Sequence, residues 1–110
     1  MQFDMTYPRV GAAVIRPSGR LNMTAAPELR QLVTSAVSEQ ARTHIVVDLT
    51  DTTFIDSSGL GSLIGGLKIA RTAGGDLRIS GATSQVQTVL ELTNLHRVLK
   101  SYATVADALT

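Results

Sequence analysis

The run Ile45-Val46-Val47, held between His44 and Asp48-Leu49, constrains this chain more than any other segment. It is β-branched and does not alternate with polar residues, so it is predicted to be an interior strand covered on both faces. Such a strand needs helices packed on its sheet, and the flanking sequence supplies them. On the N-terminal side, Leu29, Leu32, Val33, Ala36 and Val37 recur at helical spacing, which predicts an amphipathic helix over 25–40. Thr24 is placed to cap it, and Pro27 is tolerated in the first turn. On the C-terminal side, Leu60, Leu63, Ile64 and Leu67 mark one face of a second helix, about 57–73. Gly74-Gly75 ends it, because glycine takes up the left-handed cap conformation without penalty.

The remaining elements follow from the same rules. The opening reads as two short strands, 2–7 and 11–17, turning at Pro8-Arg9-Val10-Gly11, with Pro17-Ser18-Gly19 closing the second. Thr50-Asp51-Thr52-Thr53 reads as a polar bend. Residues 76–80 alternate as a strand, and Val86, Val89, Leu90 and Thr93 predict a helix over 83–93. Val98-Leu99 is expected to begin a last short strand, and Val105, Ala106 and Leu109 a closing helical turn. Strands that alternate with helices imply pairing that is at least partly parallel, under helical cover.

With 110 residues there is room for one domain, 1–110, and one modest core. Ten Lys and Arg against nine Asp and Glu leave a formal charge of +1, too little for a nucleic-acid-binding surface. Without cysteine there are no disulfides, thiolate metal sites or cysteine nucleophiles. No signal peptide is visible, and no apolar run approaches the roughly 20 residues that cross a bilayer. A cytoplasmic protein without a membrane role is expected.

Chemistry is concentrated in Asp56-Ser57-Ser58-Gly59-Leu60-Gly61, where a loop becomes a helix. The first amides of a helix have no partner within it, and a Ser or Asp side chain satisfies one of them. Asp56 or Ser57 is therefore an N-cap on one reading. On another, a hydroxyl here is a modification site. A phosphate would meet free amides and the positive end of the dipole, and would add roughly −1.5 to −2 charge beside Asp56. Gly59, Gly61, Gly65 and Gly66 each cost a helix about 0.5–1 kcal/mol relative to alanine. They serve either close packing on the sheet or, with Ser58 and Ser62, a bare face for a docking partner.

Other chemistries fail on context. Gly59-Leu60-Gly61 lies inside the helix rather than in a dinucleotide-binding loop, and there is no phosphate-loop Gly-Lys-Ser/Thr. Ser57 lacks a Gly-x-Ser-x-Gly elbow, and His44 and His96 read as surface histidines. Asp48, Asp51 and Asp56 have no metal-loop spacing. No catalytic residue, metal ligand or cofactor is expected, and the protein is not read as an enzyme.

On these residues the chain resembles the STAS-domain anti-sigma factor antagonist family. The likeness runs through Ser18-Gly19-Arg20-Leu21, Ile45–Leu49, Phe54–Gly61, Gly74-Gly75-Asp76-Leu77 and Thr93-Asn94-Leu95. It implies an α/β fold with a mixed, partly parallel sheet of four to five strands and about four helices, mostly on one side. It further implies that the unphosphorylated protein binds an anti-sigma factor that is also a serine kinase, releasing the sigma factor. The kinase would phosphorylate Ser57, with Ser58 the second candidate, and a PP2C-type phosphatase would reverse it. Partner-binding residues on this reading are Asn22, Thr24, Asp56, Ser57, Ser58, Gly59, Gly61 and Ser62. Arg20 and Asn22 stand where the family often carries acidic residues, which bears on the choice of partner. A homodimer is left open. The alternative is a small-molecule-sensing, nucleotide-sensing or transporter-associated STAS module in which Ser57 only caps.

Overall fold

The computed structural model describes residues 1–110. Strands β1 (Gln2–Thr6), β2 (Ala12–Leu21), β3 (His44–Asp48), β4 (Thr52–Ile55), β5 (Asp76–Ser80) and β6 (Ser101–Tyr102) form one mixed sheet. Four helices join them: α1 (Ala26–Gln40), α2 (Ser57–Thr72), α3 (Ser84–Leu92) and α4 (Val105–Ala108), with a 3-10 turn at Leu95–Arg97. The order is β1-β2-β3-β5-β6, with β4 on β2. The β1–β2 hairpin is antiparallel, and every other pair is parallel.

The β-branched run is the interior strand its composition predicts. Ile45, Val46 and Val47 are 1%, 2% and 0% exposed, and β3 pairs with β2 on one side and β5 on the other. Alternate side chains divide between two cores. Ala13, Ile15, Ile45, Val47, Leu77 and Ile79 meet α1, α2 and α3, while Val14 and Val46 meet Ala108 of α4. Three helices thus cover one face, and a single helical turn covers part of the other.

The sheet has six strands, one more than the four to five expected, and the additional one is β4. Thr50–Thr53 is not merely a bend. Thr52 is fully buried, and its hydroxyl donates to the Pro17 carbonyl at 3.1 Å, which ties this segment to β2. β2 itself runs past Pro17 to Leu21. Its pairing with β3 stops at Ile15, so on that side Pro17 has no ladder bond to interrupt. Gly19 (φ +108) pairs with Thr52 of β4, and beyond an irregularity Arg20 and Leu21 pair with Phe54 and Ile55. The last strand starts at Ser101 rather than Val98, because the 3-10 turn consumes Val98 as its cap and Leu99 is spent on the core.

Thr24 does not cap α1. The cap position is Ala25, without a side-chain bond. Asn22 closes the loop ahead of the helix: its Oδ1 accepts from the amides of Thr24 and Ala25 at 3.1 and 3.2 Å. An Asx residue competes well for such a loop. Its consequence is that the exposed Thr24 side chain has no structural duty.

Candidate functional site

β2 and β4 run parallel and finish together, Leu21 beside Ile55. The chain leaves β4 through Asp56 straight into α2, so the helix start lies against the loop that follows β2. Asp56 is the N-cap. Its Oδ1 accepts from the Gly59 amide at 2.8 Å and its Oδ2 from the Met23 amide at 3.1 Å. One carboxylate therefore closes the first turn of α2 and pins the β2–α1 loop to it.

That assignment decides the role of the first serine. With the cap supplied by Asp56, Ser57 is the first helical residue, exposed, with no hydrogen bond to its hydroxyl. No base lies in contact with it. His44 begins β3, level with Ala12 at the far end of the ten-residue β2, and its ring approaches Thr43 Oγ1 at 3.4 Å. His96 is exposed in the 3-10 turn and approaches the Leu90 carbonyl at 3.4 Å.

The expected partner-binding residues separate into a surface group and a buried group. Thr24 and Ser57 are exposed, and Asn22, Asp56, Ser58 and Gly61 are half-buried. Ser62 is 1% exposed, and its hydroxyl donates to the Gly59 carbonyl at 2.6 Å. Its duty is inside the helix, so it offers nothing to a surface. Gly59 is buried too. A Cβ there would collide with the Leu21 carbonyl and come within 2.9 Å of Ile55 Cγ1. Gly66 meets Leu77 and Val33 in the same way, whereas a Cβ at Gly61 would meet nothing within 4 Å. The glycines therefore serve both purposes, divided by position: Gly59 and Gly66 allow close packing, and Gly61 leaves the helix surface open.

Two neighbours escaped the sequence reading. Met23, 72% exposed, projects from the loop that Asp56 pins. Arg30 of α1 reaches across to α2 and donates to the Gly61 carbonyl at 3.3 Å. With Ala26, Pro27, Ser58 and Gly61 they line a groove of about 610 Å³ between the two helices. A lone methionine in a loop and an arginine on a polar helix face carry no periodic signal. Only the packing of α1 on α2 brings them beside the serines. Arg20, also exposed, stacks on the Phe54 ring at 4.2 Å. No helix is long and apolar enough to cross a membrane.

The fold recurs in known proteins. Residues 5–108 match the model of the STAS domain. The chain is 29% identical over 110 residues to the anti-sigma F factor antagonist of Paenibacillus polymyxa, covering 100% of this chain and 93% of that one. It is 30% identical over 81 residues to the anti-sigma-B factor antagonist of Staphylococcus aureus, covering 74% of each. Among solved structures, the unphosphorylated anti-sigma factor antagonist SpoIIAA has the same fold, with a TM-score of 0.85 at 24% identity over 98% of this chain and 93% of that one. By motif, by fold and by relatives, this chain belongs to the STAS domain family, among the anti-sigma factor antagonists.

Proposed function

We propose that the chain acts as a single STAS domain in the cytoplasm, as an anti-sigma factor antagonist whose docking is switched by phosphorylation of Ser57. The unmodified form binds an anti-sigma factor serine kinase and so frees a sigma factor. The phosphorylated form does not bind, and a PP2C-type phosphatase restores it. The observation that carries this reading is the exposed, unpartnered Ser57 hydroxyl at the first position of α2, beside a cap already supplied by Asp56. A hydroxyl with no structural duty is free to be modified. A phosphate on it would lie at the positive end of a helix dipole, which removes the usual reason for a helix to melt. The docking surface on this reading comprises Thr24, Ser57, Ser58 and Gly61, with Asn22 and Asp56 shaping it from beneath.

The mechanism needs no change of fold. Binding requires the partner to approach a small, nearly neutral surface, and a dianion at its centre opposes any approaching acidic group. Like-charge juxtaposition costs several kcal/mol, and every 1.4 kcal/mol is tenfold in affinity. One phosphate therefore lowers occupancy by about 10²–10⁴.

The test is direct. The protein is incubated with candidate anti-sigma kinases and ATP, and any phosphate is located by mass spectrometry. Phosphate on Ser57, tight binding by Ser57→Ala and weak binding by Ser57→Glu are expected. A Ser57→Glu protein that binds as tightly as the unmodified one refutes the switch.

A further inference from the structure

The groove between α1 and α2 adjoins Ser57, and its make-up is selective. Its walls are largely apolar, with Met23, Ala26 and Pro27 among them. Its one charge is Arg30, which forms no ion pair with any acidic residue of the chain. Arg30 is also held in place. Its Nε–Nη2 edge lies against α2: Nη2 donates to the Gly61 carbonyl, and a Cβ at Gly65 would come within 3.0 Å of Nε. Gly61 and Gly65 share one helix face. Gly65, unfavourable inside a helix, leaves room for a cation that nothing in the chain neutralises. A guanidinium has five N–H donors, and here one makes a hydrogen bond within the chain, which leaves Nη1 free for a ligand.

We propose that this groove is the second half of the docking surface and takes a segment of the anti-sigma factor that presents an apolar side chain beside a carboxylate. This rests on the reading of the preceding section. The apolar side chain seats between Met23, Pro27 and Gly61, and the carboxylate meets Arg30 in a charge-assisted, bidentate pair. The groove is continuous with the serine face through Ser58 and through Met23, whose amide Asp56 holds.

The experiment titrates the anti-sigma factor that retains the unmodified protein against wild type, Ser57→Glu, Gly61→Leu, Arg30→Gln and Arg30→Glu, with a thermal melt of each. A leucine at Gly61 meets open space in the fold and projects into the groove, so Gly61→Leu should melt at or above wild type while binding at least tenfold more weakly. Arg30→Gln keeps a donor for the Gly61 carbonyl but loses the charge, and should bind more weakly with an unchanged melt. Arg30→Glu should bind more weakly still and be rescued by a carboxylate-to-lysine change in the partner. If Gly61→Leu and Arg30→Gln bind like wild type while Ser57→Glu does not, the groove proposal falls and the switch stands. If Gly61→Leu weakens binding and Ser57→Glu does not, the groove stands and the switch falls. Self-association that Gly61→Leu abolishes, with partner binding intact, would make the occupant a second copy of this chain and overturn the proposal. If no anti-sigma factor is retained, both readings fall together.

Discussion

The sharpest consequence of this architecture is that one substitution, Gly→Ala, should have opposite signs two residues apart in α2. In an exposed helix interior, alanine is favoured over glycine by about 0.5–1 kcal/mol, because glycine loses more backbone freedom on folding. At Gly61 nothing lies within 4 Å of the added Cβ, so the whole gain is realised. At Gly59 the Cβ would collide with the Leu21 carbonyl and stand 2.9 Å from Ile55 Cγ1 and 3.1 Å from the Leu21 carbonyl carbon. Two of those atoms are backbone at the end of β2, where the Leu21 carbonyl also accepts from the Asp56 amide at 3.4 Å. Relief therefore means moving α2 away from the end of β2, not rotating a side chain. Overpacking of this kind costs about 1–3 kcal/mol, which outweighs the propensity gain and leaves Gly59→Ala destabilised by about 1–2 kcal/mol. For a domain of this size, Gly59→Ala should lower Tm by about 5–15 °C and Gly61→Ala should raise it by about 3–6 °C. Calorimetry, with urea denaturation as a check that both unfold in one step, measures the pair. A Gly59→Ala protein as stable as wild type would refute the close approach of α2 to β2 on which the site is built.

Asp56→Ala removes both the cap on α2 and the tether to Met23, and should cost about 1–2 kcal/mol by denaturant melt. Ser57→Glu should melt within about 1 kcal/mol of wild type, because attraction to the helix N-terminus offsets repulsion from Asp56; a larger loss would assign its binding defect to unfolding. Ser80 Oγ is fully buried without a partner, so Ser80→Ala should be neutral or stabilising by about 1 kcal/mol in the same assay. Burial pushes the Asp76 carboxyl up, but hydrogen bonds from Arg78, Arg71 and the Leu77 amide outweigh it and hold the group below its usual range. The folded state therefore favours the carboxylate. This stability is fully present above the unfolded-state carboxyl pKa of about 3.9 and is lost as pH falls through the lower, folded value. Asp76→Asn should flatten that acid limb in melts taken from pH 6 downward.

Much of this fold was legible because its core obeys simple periods. A β-branched run without alternation became the central strand, and the 3.6-residue patterns of α1, α2 and α3 located their buried faces. What was not legible depends on partners distant in sequence. Thr52 joins a strand because its hydroxyl finds the Pro17 carbonyl 35 positions away, and four residues are too few for a period to show. Thr24 looked like a cap by type and position, but the residue three places on is Pro27, which has no amide to offer, and the helix starts one residue later, after Ala25. At the site, Asp56 and Ser57 were equally good caps on paper. The choice was made by the second carboxylate oxygen of Asp56, which finds the Met23 amide 33 positions away. A serine there would have held the helix but not the loop.

The two halves of the proposed surface reinforce one another through charge. A partner segment chosen for Arg30 carries a carboxylate, and Ser57 stands one helical turn from Gly61, whose carbonyl anchors Arg30. Four residues of helix rise about 6 Å, which puts a phosphate on Ser57 about 8–10 Å from a carboxylate bound at Arg30. Coulomb's law at that separation gives a repulsion of about 0.5 kcal/mol per charge pair in water and about 2 kcal/mol at an effective dielectric of 20. With a phosphate charge of about −1.5 to −2, the total is about 0.75–4 kcal/mol, or roughly a 3- to 700-fold loss of affinity from this pair alone. An uncharged partner segment would feel almost none of it. The feature that makes the groove selective for an acidic partner is thus the one that makes a single phosphate, a full turn away, sufficient to drive that partner off.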